Sequence, residues 1–160
     1  MADTKTSSET TAGLSAHQLV VFSVQGEQYA LPITAVREVI RYEAPRSVVT
    51  TLPALRGVIN LRGSIVPVYD LRPLLGLGDA ADAGAKTVIA TVDGEVFGLI
   101  VDQVSEVLTL ESDSFESAPS GAHAAVAAVA RHSERLIVLL EPRQLALALG
   151  LAEDDAEQDK

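Results

Sequence analysis

The side chains best suited to chemistry are histidines, serines and carboxylates, and their spacing matches no catalytic motif. His17, His123 and His132 lack the spacing of a metal site, and no G-x-S-x-G or Ser-x-x-Lys motif activates a serine. The absence of cysteine removes thiol catalysis, disulfides and cysteine-based zinc sites. A hydrolase built on paired carboxylates stays open as an alternative. The sequence therefore predicts surface histidines, no metal, no cofactor and no enzymatic activity.

Residues 76–86 (GLGDAADAGAK) contain the glycines of a phosphate-binding loop without its spacing. Neither GxGxxG nor GxxxxGK is present, and these are the patterns whose backbone amides surround a phosphate. We therefore interpret this stretch as a flexible linker between two folded parts.

Composition narrows the classes of partner. The 160 residues are 48% apolar, enough for one domain or for two very small halves that share a core. The formal net charge of −10 disfavours nucleic acids and anionic membranes, because both require clustered lysine and arginine. An OB-like barrel that binds single strands or a small ligand stays open as a weaker alternative. No signal peptide or membrane-spanning run is found, which predicts a cytoplasmic protein without direct membrane insertion.

Two charged residues stand inside apolar stretches. Glu38 is followed by Val39 and Ile40, and Arg62 follows Leu61. An ionised side chain is costly to bury unless it has a partner. We expect Glu38 and Arg62 to pair with each other; the alternative is that each points to water independently.

Alternation of apolar residues predicts mostly short strands. Residues 17–24 and 28–33 should form a hairpin around a turn at 26–27, and residues 34–42 a single helical turn that leads into a strand. Pro67 cannot donate to a ladder, so its strand should be an edge or carry a bulge. In the second half we expect strands at 87–92, 95–101 and 136–140 and a closing helix at 142–149.

Three charged residues, Asp70, Arg72 and Asp102, are predicted to stabilise turns or helix ends. Residues 102–108 fit either a strand or a helical turn, and Asp102 would cap the helical turn. Asp70 and Arg72 are interpreted as turn residues.

The chain repeats itself with an offset of about 70 residues. Residues 26–40 match 94–108 at a shift of 68, and 65–74 match 136–145 at a shift of 71. Each unit has too few strands to bury both of its faces alone, so we expect an all-β fold of two small barrels packed together, with short helices. The predicted segments are a disordered tail at 1–16, a first barrel at 17–75, the linker at 76–86, a second barrel and C-terminal helix at 87–150, and an acidic tail at 151–160.

The stretch LPALRGVINLRGSIVPVYDLRPLLG resembles the signature of the CheW-like family of bacterial chemotaxis coupling proteins. The segments VREVIR, GLIVDQVSEVL and RLIVLLEPRQL add to this resemblance, which covers about residues 18–150. It implies two five-stranded SH3/OB-like β-barrels around a hydrophobic core. It also implies a non-catalytic adaptor that couples methyl-accepting chemoreceptors to the chemotaxis histidine kinase. One barrel would bind the regulatory domain of the kinase, and the groove between the barrels would bind the receptor's cytoplasmic tip.

The resemblance also implies a partner interface. The residues that match the family motif around the partner surfaces are Val36, Glu38, Ile40, Gly57, Asn60, Arg62, Gly63, Gly98, Val101, Asp102 and Val104. For Val36, Ile40 and Val101, simple core packing is the alternative. A coupling protein of a related pathway, such as one that controls pilus-driven motility, is the alternative function. The chain departs from the family at Ala128-Val129-Ala130, where a Gly-Ile-Gly-like step is frequent.

Overall fold

The computed structural model describes residues 16–77 and 85–151. Most of the two predicted tails and of the predicted 76–86 linker lies outside these ranges. No helix within the described ranges is long and apolar enough to cross a membrane.

The described residues form eleven strands and two short α-helices. In chain order the strands are β1 Ala16–Val24, β2 Glu27–Pro32, β3 Val36–Arg41, β4 Leu55–Leu61, β5 Ser64–Asp70, β6 Lys86–Val92, β7 Glu95–Val101, β8 Gln103–Glu111, β9 Phe115–Ser117, β10 Val126–His132 and β11 Arg135–Leu140. Helix α1 is Leu71–Leu75 and helix α2 is Pro142–Leu149. Two 3₁₀ turns, Ile33–Ala35 and Ser112–Ser114, lead into β3 and β9.

The strands form two sheets that pack against each other. Sheet 1 has six strands in the order β8-β1-β2-β11-β10-β9, and sheet 2 has five in the order β3-β6-β7-β5-β4. The predicted all-β class with two packed units is confirmed. In the described residues, the strand order of each sheet begins and ends at an edge strand. Closure of each sheet into a barrel therefore stays a prediction.

The sheets do not follow the predicted division into 17–75 and 87–150. The hairpin β1–β2 lies in sheet 1 between β8 and β11, and the hairpin β6–β7 lies in sheet 2 between β3 and β5. Each half therefore donates its first hairpin to the sheet of the other half. The sequence did not reveal this exchange. The two hairpins are similar, so each could pair with the strands of either sheet.

Alternation along the strands divides the apolar residues among three cores. A central core lies between the sheets and contains Phe22, Tyr29, Leu31 and Leu140 from sheet 1 and Tyr69, Val88, Phe97, Leu99 and Val101 from sheet 2. The outer face of sheet 1 covers a second core around Leu19, Val21 and Ile137, and the outer face of sheet 2 covers a third around Ile59, Val68 and Ile100. Neighbouring residues of one strand thus serve different cores, as a pleated strand requires.

The connections between elements resolve several sequence predictions. The turn-then-strand reading of 34–42 is confirmed by the 3₁₀ turn and β3, and the closing helix is confirmed by α2. Residues 103–108 belong to strand β8 and Asp102 immediately precedes it, so the helical alternative, with Asp102 as its cap, is wrong. The first hairpin turns at Gln25-Gly26, one residue earlier than predicted.

Pro67 lies inside sheet 2 rather than at its edge. Strand β5 has β7 on one side and β4 on the other. The proline is tolerated because the parallel pairing with β7 begins at Val68, one residue later. The pairing of β4 with β5 has a bulge between Leu55 and Gly57, but the extra residue is on β4. Both alternatives predicted for the strand of Pro67, an edge position and a bulge, are therefore wrong.

Candidate protein-interaction surface

The turn between β4 and β5 is built to project Arg62. Arg62 and Gly63 form a two-residue turn with φ values of +48° and +91°. The side-chain oxygen of Asn60 accepts a hydrogen bond from the Gly63 N–H at 2.8 Å. A turn with positive φ at both central residues matches the twist of a hairpin, and glycine adopts the second position without strain. Asn60 and Gly63 therefore set the direction in which the arginine leaves the sheet.

Arg62 forms an ion pair with Glu38 on strand β3, and this confirms the predicted partnership. The arginine side chain is 69% exposed and the glutamate 30% exposed, so the pair lies at the surface. The hydrogen bond to Glu38 raises the pKa of Arg62, and the attraction between the two charges adds to that shift.

An open groove of about 460 Å³ runs beside this pair. Its apolar lining includes Leu61, Ile65 and Val96, and Ile65 is 67% exposed. A large aliphatic side chain in water next to an ion pair is a combination found at interaction sites.

The second half contains a twin of this ion pair. Glu106 lies on β8, 68 residues after Glu38, and accepts a hydrogen bond from Arg135 at 2.8 Å. The same arginine donates to Gln28 at 3.0 Å. Arg135 follows the β10–β11 turn, as Arg62 lies in the β4–β5 turn. The sequence analysis missed both residues. The repeat carried a signal for Glu106, which matches Glu38 at a shift of 68, but not for Arg135, because Arg62 matches Ser133 at a shift of 71.

Three of the predicted interface residues are buried and have structural roles. A Cβ atom on Gly57 would lie 2.1 Å from the carbonyl oxygen of Arg46, and one on Gly98 would lie 2.9 Å from a methyl group of Thr87. Val101 belongs to the central core and has no exposed surface. These residues hold the strands close together and offer no side-chain atoms to a partner in this structure.

Val36, Ile40 and Val104 are neither fully buried nor fully exposed. All three are half-buried: Val36 and Val104 pack against the central core, and Ile40 packs against the core beneath sheet 2. The core-packing alternative therefore holds for part of each side chain, while the rest remains accessible at the edge strands.

Asp102 joins the two sheets. It lies at the crossing from β7 to β8 and accepts hydrogen bonds from the Gln25 N–H at 2.6 Å and from Arg72 at 2.5 Å. Gln25 belongs to the turn of the β1–β2 hairpin, whereas Arg72 belongs to α1 beside sheet 2. A single carboxylate thus links a hairpin of one sheet to a helix of the other.

Asp70 and Arg72 form a buried charge cluster around this junction. Asp70 caps α1 by accepting from the Arg72 N–H at 2.9 Å, and it also accepts from the Arg56 side chain at 3.0 Å. Arg72 is only 3% exposed and contacts both Asp70 and Asp102. Its Nε atom has no hydrogen-bond partner within the described residues. The sequence analysis interpreted Asp70 and Arg72 as turn residues, whereas the structure has a short helix here that Asp70 caps and that contains the buried Arg72.

Exposed aliphatic residues and ion pairs on the edges of two packed sheets are features of a protein-interaction scaffold. The family model of the CheW-like domain matches residues 18–149. The chain belongs to the CheW-like family and is a non-catalytic adaptor of chemotaxis signalling.

Similar proteins come from distant bacteria. The chemotaxis protein CheW of Bacillus subtilis (strain 168) is 40% identical over 106 residues, which cover 65% of this chain and 67% of the relative. The chemotaxis protein CheW of Klebsiella aerogenes is 31% identical over 120 residues, which cover 74% and 72%. The crystal structure of the scaffolding protein TtCheW from Thermoanaerobacter tengcongensis superposes with a TM-score of 0.73 at 32% identity, covering 78% of this chain and 88% of that one.

Proposed function

We propose that this chain connects the cytoplasmic tips of methyl-accepting chemoreceptors to the regulatory domain of the chemotaxis histidine kinase, within receptor arrays at the inner membrane. The observation that carries the proposal is the solvent-facing Glu38–Arg62 pair beside the exposed Ile65. A groove that combines charged side chains with exposed aliphatic ones is suited to recognising a partner helix, because the aliphatic side chains supply contact area and the charges set register.

The predicted interface residues then divide into two roles. Glu38, Asn60, Arg62 and Gly63 lie together at the β3 edge and the β4–β5 turn, where they are accessible to a partner. We assign positioning roles to the buried residues Gly57, Gly98 and Val101. Asp102 and Val104 lie at the crossing between the sheets and are proposed to fix the relative orientation of the two edges.

Arg62→Ala tests the coupling role. We expect assembly of receptor, adaptor and kinase to weaken and receptor-stimulated kinase activity to fall, with the thermal unfolding midpoint within a few degrees of wild type. The midpoint should hardly change because solvent screens an ion pair this exposed, so the pair adds little to stability. The assay mixes receptor fragment and kinase with and without the adaptor and measures phosphate transfer.

Arg131→Ala is the matched control. Arg131 forms an exposed ion pair with Glu116 at 3.1 Å on β10 and β9, at the edge of sheet 1. It should leave assembly unchanged. Normal assembly by Arg62→Ala, with a large loss of thermal stability, would show that the Arg62 pair is structural and would remove the main support for the proposal. The alternative function is tested by a pull-down of this chain with receptors of a pilus-motility pathway. Binding to those receptors instead of chemotaxis receptors would favour the alternative pathway.

A further inference from the structure

The two sheets differ at one edge that the repeat makes equivalent. Strands β4 and β10 correspond at a shift of 71, and their register bulges match, between Leu55 and Gly57 in β4 and between Val126 and Ala128 in β10. In sheet 1, β9 lies beyond β10 and forms the edge, whereas in sheet 2 the edge strand is β4 itself. Sheet 2 therefore lacks one edge strand that sheet 1 has at the same place.

Residues 43–46, which we call the strap, lie beside β4 where β9 lies beside β10. Strand β9 pairs three residues with β10, and the middle pair is Glu116 with Val129. Val58 is equivalent to Val129, and it pairs with Arg46 in an isolated antiparallel bridge. The two residues of this bridge exchange backbone hydrogen bonds at 2.8 and 2.9 Å. The strap thus makes one of the three pairs that β9 makes.

The next pairing position along the strap is open. Backbone groups alternate in direction along a strand, so Asn60 turns its N–H and C=O to the same side as Val58, toward the strap. An antiparallel ladder that continues from the Arg46 bridge would bring Ala44 opposite Asn60. Within the described residues, no backbone hydrogen bond joins Ala44 to Asn60. An open cavity of about 360 Å³ lies here instead, lined by Glu43, Ala44, Arg46, Val58, Ile59 and Asn60.

The sequence of the strap is compatible with a closed edge strand. Arg46 directs its N–H to β4, so the nitrogen of Pro45 is directed away from β4, the position at which an edge strand tolerates proline. The residue before a proline favours extended backbone, which suits Ala44. Two added backbone hydrogen bonds would stabilise the closed strap, and the lost freedom of Glu43 and Ala44 would oppose it. These terms are of similar size, so the open and closed arrangements are close in free energy.

We propose that the strap closes onto β4 as a sixth strand of sheet 2 and thereby stiffens the turn that carries Arg62. Asn60 connects the two events, because its side chain accepts the Gly63 N–H at 2.8 Å and its backbone would be held by Ala44 in the closed strap. A turn that is already ordered loses less entropy when a partner binds, so closure strengthens binding. The closure stands on the geometry alone, and its effect on partner binding rests on the proposed function.

Engineered disulfides measure the closure without receptor or kinase. The chain contains no cysteine, so an introduced pair reacts without competitors. Ala44→Cys/Asn60→Cys places two thiols on directly opposed residues of the closed strap, about 5.5 Å apart at Cα, which is within the range of a disulfide. Arg46→Cys/Val58→Cys is the positive control, because this bridge is already present. Val48→Cys/Asn60→Cys is the negative control, because Val48 lies two residues from Arg46 in the direction away from Asn60.

The rates of oxidation by glutathione disulfide, followed by mass spectrometry, give the result. We expect the 44/60 pair to form its disulfide within about tenfold of the rate of the 46/58 pair, since a closed population of about a tenth slows the reaction about tenfold. The 48/60 pair should be far slower. A 44/60 rate as slow as the 48/60 rate would overturn the closure.

Two variants shift the strap in opposite directions and test its effect on the Arg62 turn. Pro45→Val raises strand propensity and should strengthen receptor binding by up to about tenfold, the inverse of the closed fraction. Ala44→Pro removes the N–H that the closed strap donates and should weaken binding, with an unchanged thermal midpoint because the open strap does not use that N–H. Equal receptor binding by both variants would overturn the link between strap and turn. The disulfide rates do not depend on the receptor, so closure and the coupling role tested by Arg62→Ala can fail separately.

Discussion

Arg72 and Arg143 stand at equivalent positions of the repeat, 71 residues apart, and have different environments. Each lies in the first turn of a short helix and connects that helix to the hairpin of the opposite sheet. Arg72 reaches the Gln25 turn through Asp102, while Arg143 pairs with Asp93 in the β6–β7 turn. Arg72 is 3% exposed and Arg143 is 51% exposed. Two equivalent arginines therefore clamp the sheets to each other, one in the interior and one in water.

Arg72→Met should destabilise the protein far more than Arg143→Met. Removing Arg72 leaves Asp70 buried with only Arg56 as a counter-charge, and breaking a buried pair costs about 3 kcal/mol or more. The exposed Arg143 pair should cost about 1 kcal/mol or less. Urea unfolding of both variants measures the difference. Equal losses would mean that burial of Arg72 adds no stability beyond that of the surface pair.

At the scale of elements, the pairing of β4 with β5 depends on the close approach of a neighbouring segment. Arg46 exchanges two backbone hydrogen bonds with Val58, at 2.8 and 2.9 Å. Its carbonyl lies where a side chain of Gly57 would be, next to the bulge in β4. Glycine is therefore required at this position to let the 42–54 connection pack against the sheet.

Gly57→Ala should cost about 3 kcal/mol, because the new methyl group overlaps a backbone carbonyl and φ is +148°. Gly94→Ala is the matched control: its φ is +86° but no atom lies within 4 Å of the added methyl group. That variant should lose only about 1 kcal/mol from backbone strain. Chemical denaturation of both proteins provides the comparison, and a similar loss in both would assign the whole effect to φ.

Both halves of the repeat contain a short helix with the same kind of N-cap and the same kind of C-terminal residue. Asp70 caps α1, and Glu141 caps α2 by accepting from the Gln144 N–H at 2.8 Å. Both helices end at a left-handed glycine, Gly76 and Gly150. A cap and its helix lie within a few residues of each other, so such signals are local. The sequence analysis used them for the closing helix α2 but interpreted Asp70 and Arg72 as turn residues and did not predict α1.

At the scale of the whole molecule, the exchange of hairpins makes the two halves interdependent. Without residues 85–151, β3 loses β6, its one strand neighbour among the described residues, and the β1–β2 hairpin loses β8 and β11. An isolated hairpin is marginally stable at best in water. The molecule should therefore unfold as one cooperative unit rather than as two barrels.

Cutting the chain between residues 77 and 85 tests this interdependence. Fragments 1–77 and 85–160 should each lack a cooperative thermal transition, and an equimolar mixture should recover the sheet signal by circular dichroism and migrate as a 1:1 complex. Two contiguous barrels, in contrast, would fold separately. A cooperative transition in either isolated fragment would contradict the exchanged arrangement.

The sequence by itself determined the strand-rich class, the repeat, the closing helix and the partnership of Glu38 with Arg62. All of these depend on patterns that are local or that recur within the chain. The tertiary structure decided which hairpin joins which sheet, that Arg72 and Val101 are buried, and that Glu106 pairs with Arg135. Two similar halves offer nearly equal pairing partners, so the choice between them depends on long-range packing that no short stretch of residues encodes.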